Sequence, residues 1–199
     1  MILEFKGFVP VVHSSSYVHP LAVVTGNVII GKNVYIGPGA ALRGDWGGIV
    51  VKDGCNVQEN CTIHMFPGVE VVLEENAHIG HGAVIHGAHI GKNCLIVMNS
   101  VVMDDVEMGE GCIIGAMSFV AANTTVEPRS LMVGNPARKI REVSDEMLDW
   151  KSKGTELYQT LPREMMEEAK ECEPLTEIPE NRPSQESLFE TWNAIKNGK

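Results

Sequence analysis

Residues 90–126 read IGKNCL-IVMNSV-VMDDVE-MGEGCI-IGAMSF-VAANTT-V, so an apolar side chain opens a new unit every six residues. The residue four places after each opener is small or β-branched, except at Trp46, Pro67 and His89, where the count of six is interrupted. Residues six apart on an α-helix point in different directions, so this period indicates short stacked strands. The openers are Val12, Val18, Val24, Ile30, Ile36, Leu42, Val51, Val57, Ile63, Leu73, Ile79, Ile85, Ile90, Ile96, Val102, Met108, Ile114, Val120 and Val126.

A fixed six-residue period is typical of a parallel β-helix, in which three units make one triangular coil. The opener points into the prism, and the small fourth residue lets the chain turn the corner. Glycines that directly follow openers, such as Gly37 and Gly91, are expected to ease the same turn. Because coils stack at about 4.8 Å, residues at one position of successive coils form ladders. We therefore predict an all-β solenoid over residues 1–136.

The last part of the chain loses the repeat, and we assign residues 137–199 to a C-terminal helical segment and an extended tail. Ser144 precedes two acidic residues, which predicts a helix start with Ser144 as its cap. Pro162 either starts a second helix or kinks the first. Prolines and acids crowd residues 171–182, which predicts an extended segment, and residues 187–196 have the pattern of a last short helix.

Composition limits the classes of function. The chain has 199 residues and a formal net charge of −10, which argues against a nucleic-acid surface. No apolar run approaches the ~20 residues of a membrane span, and the first residues lack the layout of a secretory signal, so a cytoplasmic location is expected. Four of the five cysteines occupy the small fourth position of a unit and are expected to pack in the core, whereas Cys172 is expected to be a free thiol.

The repeat places three of the seven histidines in related positions. His64 and His86 each directly follow an opener, so both occupy the same position one coil apart. His81 comes two places after the opener Ile79 and points outward from the preceding face, where it cannot reach the other two within one chain. In a three-fold oligomer, that face of one subunit can meet the His64/His86 edge of the next.

Three imidazoles and one water are the ligands of an open, catalytic zinc site. The alternative is that these histidines are ordinary solvated or hydrogen-bonded residues, and the spacing alone leaves both interpretations open. His78 and His89 lack the match in position, and His13 and His19 lie in the first coils, far from the cluster. We expect ordinary roles for these four residues.

Several motifs together resemble a known family. They are Arg43-Gly44-Asp45, residues 56–60 (NVQEN) with His64, and residues 81–87 (HGAVIHG). The chain resembles the γ-class carbonic anhydrases, and more closely their bacterial relatives named for phenylacetate breakdown and the carnitine operon. The resemblance covers nearly the whole chain. It implies a left-handed parallel β-helix and a homotrimer with metal between subunits, the ligands being His64 and His86 from one subunit and His81 from its neighbour. Zinc is the implied metal, with iron or cobalt possible.

The same resemblance assigns roles to nearby polar residues. Gln58 would hydrogen-bond the activated water or the substrate, and Asn56 would line the pocket. Arg43, Asp45 and Glu59 would form a charged network across the interface. Such partners agree with the general need of metal ligands for supporting hydrogen bonds. Two departures stand out: the family usually has Asp at position 59, and the extra glutamates that relay protons in the archaeal enzymes have no obvious counterparts.

These features predict a metal-dependent enzyme of the γ-carbonic anhydrase type, in which zinc-activated water attacks carbon dioxide to give bicarbonate. The first alternative is an acyl-CoA thioesterase that uses the same metal site. Two further alternatives are a hexapeptide acyltransferase, which needs a histidine and coenzyme A rather than a metal, and a non-catalytic accessory protein of acyl-CoA or carnitine metabolism. The expected partners are two more copies of the chain and a small-molecule substrate.

Overall fold

The computed structural model describes residues 1–185 and 187–197, which form many very short strands and two helices. The strands are β1 Ile2–Leu3, β2 Val11–Val12, β3 Tyr17–Val18, β4 Val23–Ile30, β5 Tyr35–Ile36, β6 Ala41–Val51, β7 Asn56–Val57, β8 Thr62–His64, β9 Glu70–Leu73, β10 His78–Ile79, β11 Val84–His86, β12 His89–Ile90, β13 Leu95–Ile96, β14 Val101–Val102, β15 Glu107–Met108, β16 Ile113–Ile114, β17 Phe119–Val120, β18 Thr125–Val126, β19 Ser130–Gly134 and β20 Ala137–Glu142. The helices are α1 Asp145–Glu168 and α2 Trp192–Asn197.

The strands stack into three faces of a prism. The first face contains β8, β11, β14 and β17, the second contains β9, β12, β15 and β18, and the long strands β4 and β6 continue around the corner between these two. The third face contains β3, β5, β7, β10, β13, β16 and β19. All of these pairings are parallel. The predicted left-handed parallel β-helix is confirmed, with about 7 turns.

The openers of the six-residue units fill the interior of the prism. Those from Val24 to Val126 are all buried, and Val12 and Val18 pack against the same core at its first coils. The four cysteines at the fourth position of a unit are also buried, as predicted. Burial raises the pKa of the Cys55 thiol to about 12, so this group remains a neutral thiol in the core.

The residues that make the corners of the prism differ from those expected from the sequence. The residue that takes a positive φ is the third after an opener, as at Asn33 (51°), Asn60 (59°) and Asn99 (55°). Asparagine tolerates this left-handed conformation better than most residues do. Glycines that directly follow openers have a different role: a Cβ on Gly91 would collide with the carbonyl oxygen of Met108 in the next coil. They permit close stacking rather than the turn.

Helix α1 lies along the third face, in contact with β3, β5 and β7. Ser144 caps it as predicted, accepting a hydrogen bond from the backbone N–H of Met147 at 3.3 Å. The helix continues through Pro162 without ending, so this proline does not start a second helix. Buried Lys151 anchors the helix by donating to the backbone oxygen of Asn76 and to Oδ1 of Asn93, both at 2.6 Å.

The last strand and the tail complete the chain. β20 pairs antiparallel with β19 and so extends the third face beyond the last hexad. Residues 171–182 contain no helix or strand, and α2 overlaps the range 187–196 where a last helix was predicted, starting five residues later and ending one residue beyond it. Across residues 1–185 and 187–197, no helix has both the length and the apolar character required to cross a membrane.

Candidate functional site

His64 and His86 meet on the first face, as the repeat predicted. β8 and β11 pair in a register that sets His64 beside His86. The Nδ1 atom of His64 lies 3.3 Å from the Nε2 atom of His86. Two aromatic rings flank the pair: Trp46 lies 5.3 Å from His64 and Phe66 lies 5.1 Å from His86, measured between ring centroids. The strand ladder therefore holds two imidazoles in one partly buried cluster.

A carboxylate holds the other nitrogen of each ring. Asp45 Oδ1 lies 3.0 Å from His64 Nε2, and Asp104 Oδ1 lies 2.6 Å from His86 Nδ1. Burial tends to raise the pKa of Asp45, but its hydrogen bond to His64 and the charge of Arg43 lower this pKa below its ordinary value. Among the described residues, the nitrogens that face each other have no carboxylate partner.

Sequence reasoning missed Asp104. It lies two residues after the opener Val102, and a Cβ on Gly87 in the preceding coil would collide with its carboxylate. The paired registers of β11 and β14 could have placed it beside His86, since Ile85 pairs with Val102. The sequence signal was thus the repeat itself, applied one coil further along the chain.

His81 lies at the corner between the third and first faces, away from the His64/His86 pair. Its Nδ1 atom lies 2.5 Å from Oε2 of Glu59, and its side chain is 46% exposed. Glu59 also accepts a hydrogen bond of 3.2 Å from the Tyr35 hydroxyl. Burial and the nearby Glu59 charge both raise the pKa of Tyr35, so its hydroxyl keeps the proton.

The predicted charged network divides into two groups within one chain. Arg43 Nη2 lies 3.4 Å from Asp45 Oδ2 and 3.0 Å from His64 Nε2. Glu59 contacts His81 and Tyr35, and no contact joins it to Arg43 in the described part of the chain. The longer side chain at position 59 therefore supports a histidine rather than an arginine of the same subunit.

The donor set fits zinc, provided that a third ligand comes from another chain. Zinc binds imidazole nitrogens at about 2.0–2.1 Å in tetrahedral geometry, so two such ligands lie about 3.3 Å apart. The facing nitrogens of His64 and His86 have this separation. Within residues 1–185 and 187–197 of a single chain, no group of three His, Cys, Asp or Glu side chains could hold a metal ion.

Gln58 and Asn56 are buried on the third face. Gln58 is only 2% exposed, and its Nε2 atom donates to Asn56 Oδ1 at 2.9 Å. The same Nε2 lies 2.5 Å from Nε2 of His78, whose Nδ1 lies 3.2 Å from the Thr155 hydroxyl on α1. Burial, followed by the charge of Lys151, lowers the pKa of His78 to about 3, so its ring is neutral near pH 7.

A cavity of about 270 Å³ opens beside these residues, between the third face and α1. Its polar side chains are Gln58, His78, His81, Lys151 and Tyr158. The rest of the wall is mostly apolar and is formed by Leu95, Val97, Met98, Trp150, Leu157 and Phe189, with the backbone of Gly80 and Gly154. The cavity is therefore mostly apolar, and Gln58 and His81, two of the predicted site residues, are among its polar lining residues.

The remaining histidines have ordinary contacts. His89 lies between Glu74 (3.1 Å) and Glu107 (3.0 Å) on the second face. In both His13 and His19, ring Nδ1 accepts a hydrogen bond from a backbone N–H two residues further on. His78 is hydrogen-bonded as expected, but its burial next to Gln58 was not predicted.

Comparisons with known proteins show to which family this chain belongs. Two protein-family models match: "Bacterial transferase hexapeptide (six repeats)" over residues 10–44 and 87–122, and "Hexapeptide repeat of succinyl-transferase" over residues 70–103. The carnitine operon protein CaiE of Salmonella agona (strain SL483) is 47% identical over 179 residues, covering 90% of both chains. The chain belongs to the hexapeptide-repeat family. The CaiE protein of Escherichia coli K12 is 48% identical over 179 residues, covering 90% of this chain and 91% of its own.

Solved structures agree with the assignment of this chain to the hexapeptide-repeat family. A hexapeptide transferase family protein from Anaplasma phagocytophilum is 33% identical with a TM-score of 0.78, covering 81% of this chain and 96% of its own. The Bacillus cereus BC4754 product, provisionally described as an acetyltransferase, is also 33% identical with a TM-score of 0.80, covering 81% and 94%. The match to the carnitine-operon subgroup confirms the predicted resemblance. These relatives do not show carbonic anhydrase activity for the present chain.

Proposed function

We propose that this hexapeptide-repeat protein is a trimeric, metal-dependent enzyme that adds water to an electrophilic carbonyl carbon. One observation carries the proposal. Each of His64, His81 and His86 has one ring nitrogen against a carboxylate, which leaves the other nitrogen available. Carboxylate-supported imidazoles are typical of metal ligands, because the carboxylate fixes the tautomer and the ring orientation.

The trimer completes the ligand set, since His81 lies away from the other two histidines of its own chain. Exposed apolar side chains accompany both surfaces. Trp46 and Phe66 flank the His64/His86 pair, and Met98 occupies the position of His81 one coil further on; all three are at least half exposed. Exposed apolar side chains that cluster in this way are typical of protein–protein contacts. Hexapeptide-repeat transferases are typically trimeric, which supports the same assembly.

Different residues of the chain have different roles at the proposed site. His64 and His86 of one subunit and His81 of its neighbour would hold the metal, and Asp45, Asp104 and Glu59 keep the rings oriented. Bound there, zinc would lower the pKa of a water molecule to about 7 and polarise a carbonyl group. Gln58, in the lining of the apolar cavity, would hold the water or the substrate.

The apolar cavity favours an acyl-CoA thioester over carbon dioxide as the substrate. A cavity of about 270 Å³ is far larger than carbon dioxide requires and can hold an apolar acyl group. Small-molecule sites are commonly apolar chambers with a few polar groups that fix orientation, which agrees with the arrangement around Gln58 and His81. Hydration of carbon dioxide remains the second activity to be tested at the same site.

The metal site is tested with variants and mixed trimers. H64A, H81A and H86A should each lose most of the bound metal, measured by plasma emission spectroscopy, whereas H89A should keep it as the matched surface control. Unfolding and refolding H64A and H81A together should restore metal binding and activity, because a mixed trimer regenerates sites that combine intact residues of two subunits. Mixtures that stay as inactive as each variant alone would contradict a shared site.

The substrate is tested by filling the cavity from α1. The backbone of Gly154 faces the cavity, and a Cβ there would lie 3.2 Å from Cζ of Phe189. G154L should lose thioester hydrolysis while keeping the trimer, the metal and any carbon dioxide hydration, and G154A should have a smaller effect. Equal loss of both activities in G154L would contradict the assignment of the cavity to the acyl group.

Acyl transfer is the second candidate function, and the family descriptions favour it. Both matching family models and the Anaplasma protein carry transferase names, and these names support acyl transfer better than carbonic anhydrase activity. Incubation with an acyl-CoA panel, with and without amine and hydroxyl acceptors, distinguishes the candidates. Hydrolysis yields free acid without an acceptor, whereas transfer yields an acylated acceptor. An accessory role would give neither product, with or without bound metal.

A further inference from the structure

A buried row of hydrogen-bonding groups connects Gln58 to helix α1. The row runs from Asn56 through Gln58 and His78 to the hydroxyl of Thr155, and this hydroxyl donates to the backbone oxygen of Lys151 at 3.2 Å. Asn56, Gln58 and Thr155 are each at most 2% exposed. These three side chains are shielded from solvent and His78 is partly buried, so most of their polar atoms are expected to find hydrogen-bond partners within the row.

The direction of each hydrogen bond follows from the end on α1. Because the Thr155 hydroxyl gives its proton to the carbonyl of Lys151, Thr155 Oγ1 accepts from Nδ1–H of His78. A neutral imidazole with its proton on Nδ1 has an acceptor at Nε2. Burial keeps His78 neutral by lowering its pKa to about 3. His78 Nε2 can therefore accept from Gln58.

Both amide protons of Gln58 are then used. One is donated to Asn56 Oδ1 at 2.9 Å and the other to His78 Nε2. The only group of Gln58 that remains for a ligand is its Oε1 atom, which accepts and cannot donate. Gln58 and His81 line the same cavity. A ligand there that bonds to the Gln58 amide would therefore have to donate to this oxygen.

We propose that His78 is a positioning residue that fixes the Gln58 amide as a hydrogen-bond acceptor in the lining of the cavity. The preferred partner of Gln58 is thus an O–H or N–H group, such as the nucleophilic water, and not a carbonyl oxygen of the substrate. The hydrogen-bond geometry of this inference is independent of the proposed function, whereas the role of Gln58 in catalysis rests on it. Helix α1 contributes to this positioning, because Thr155 selects the tautomer of His78.

Nuclear magnetic resonance of ¹⁵N-histidine-labelled trimer tests the geometry without any activity. The His78 signals, assigned by their absence in H78N, should show a protonated Nδ1 and an unprotonated Nε2 at pH 7. The opposite tautomer, with the proton on Nε2, would reverse the Gln58 amide and overturn the proposal. In that arrangement Asn56 Nδ2, which is buried without a partner in the described part of the chain, would be free to donate to Gln58.

A pair of variants tests the role of α1. T155V removes the hydroxyl acceptor and should shift part of His78 to the other tautomer, while kcat falls by about tenfold with little change in KM or metal content. T155S keeps the hydroxyl and should restore the wild-type tautomer and rate. An unchanged tautomer in T155V would overturn the selection by Thr155. If the predicted tautomer is found but no substrate is turned over, the proposed function fails while the positioning of Gln58 stands.

Discussion

Replacing Asp104 by asparagine isolates the support that a carboxylate gives to one histidine. The Asp104 carboxylate lies 2.6 Å from Nδ1 of His86 and is 15% exposed, so the hydrogen bond is short, charge-assisted and largely shielded. An asparagine keeps the size but loses the charge. Its NH₂ group can also donate to Nδ1, which would move the ring proton to Nε2 and block the atom that faces His64.

Removal of such a supporting residue typically lowers metal affinity by 10 to 100-fold, which corresponds to about 1.4–2.8 kcal/mol. D104N should therefore bind zinc at least about tenfold more weakly in competition with a chromophoric chelator. D105N is the matched control, because it makes the same charge change at the exposed neighbouring residue, whose φ of 55° suits asparagine. Equal zinc affinity in D104N and D105N would refute the role of Asp104, provided that both variants remain trimeric.

Three further predictions concern the fold and its assembly. A thiol reagent at pH 8 should label one cysteine of the native chain, Cys172, and all five after denaturation, because the other four are buried. I79A should lower the free energy of unfolding by about 2–5 kcal/mol in urea, whereas I140A, at an exposed position, should change it by less than about 0.5 kcal/mol. Light scattering of the metal-loaded protein at micromolar concentration should give the mass of a trimer, and a monomer that retains metal would contradict the shared site.

The fold could be predicted from the sequence because each six-residue unit carries the same local signal. The openers point inward in coil after coil, and a shift of one residue would expose the whole set, so the register is strongly determined. The apolar stripe of α1 predicted packing against the solenoid or a neighbouring subunit, but the hydrogen bonds that fix the helix on the third face could not be predicted. Lys151 and Gln159 make these hydrogen bonds to two backbone oxygens and two asparagine side chains, which no periodic pattern records.

The candidate site was predictable to the extent that it lies on ladders. His64 and His86 share one position of two coils, and their ring nitrogens face each other as the repeat predicts. The chemical environment of Gln58 was harder to infer. His78 occupies the outward position before the opener Ile79, where a side chain is normally solvated, and only the packing of α1 covers part of it.

Interruptions of the repeat supply the groups that a perfect repeat could not place beside the histidines. The extra residues near Trp46 and the loop that begins after His64 bring two aromatic rings to within about 5 Å of these imidazoles. The same insertion lies in the long strand β6, which also carries Arg43 and Asp45. Regular coils thus fix the histidines, Arg43 and Asp104 in register, and the irregular segments add the aromatic rings that flank the imidazoles.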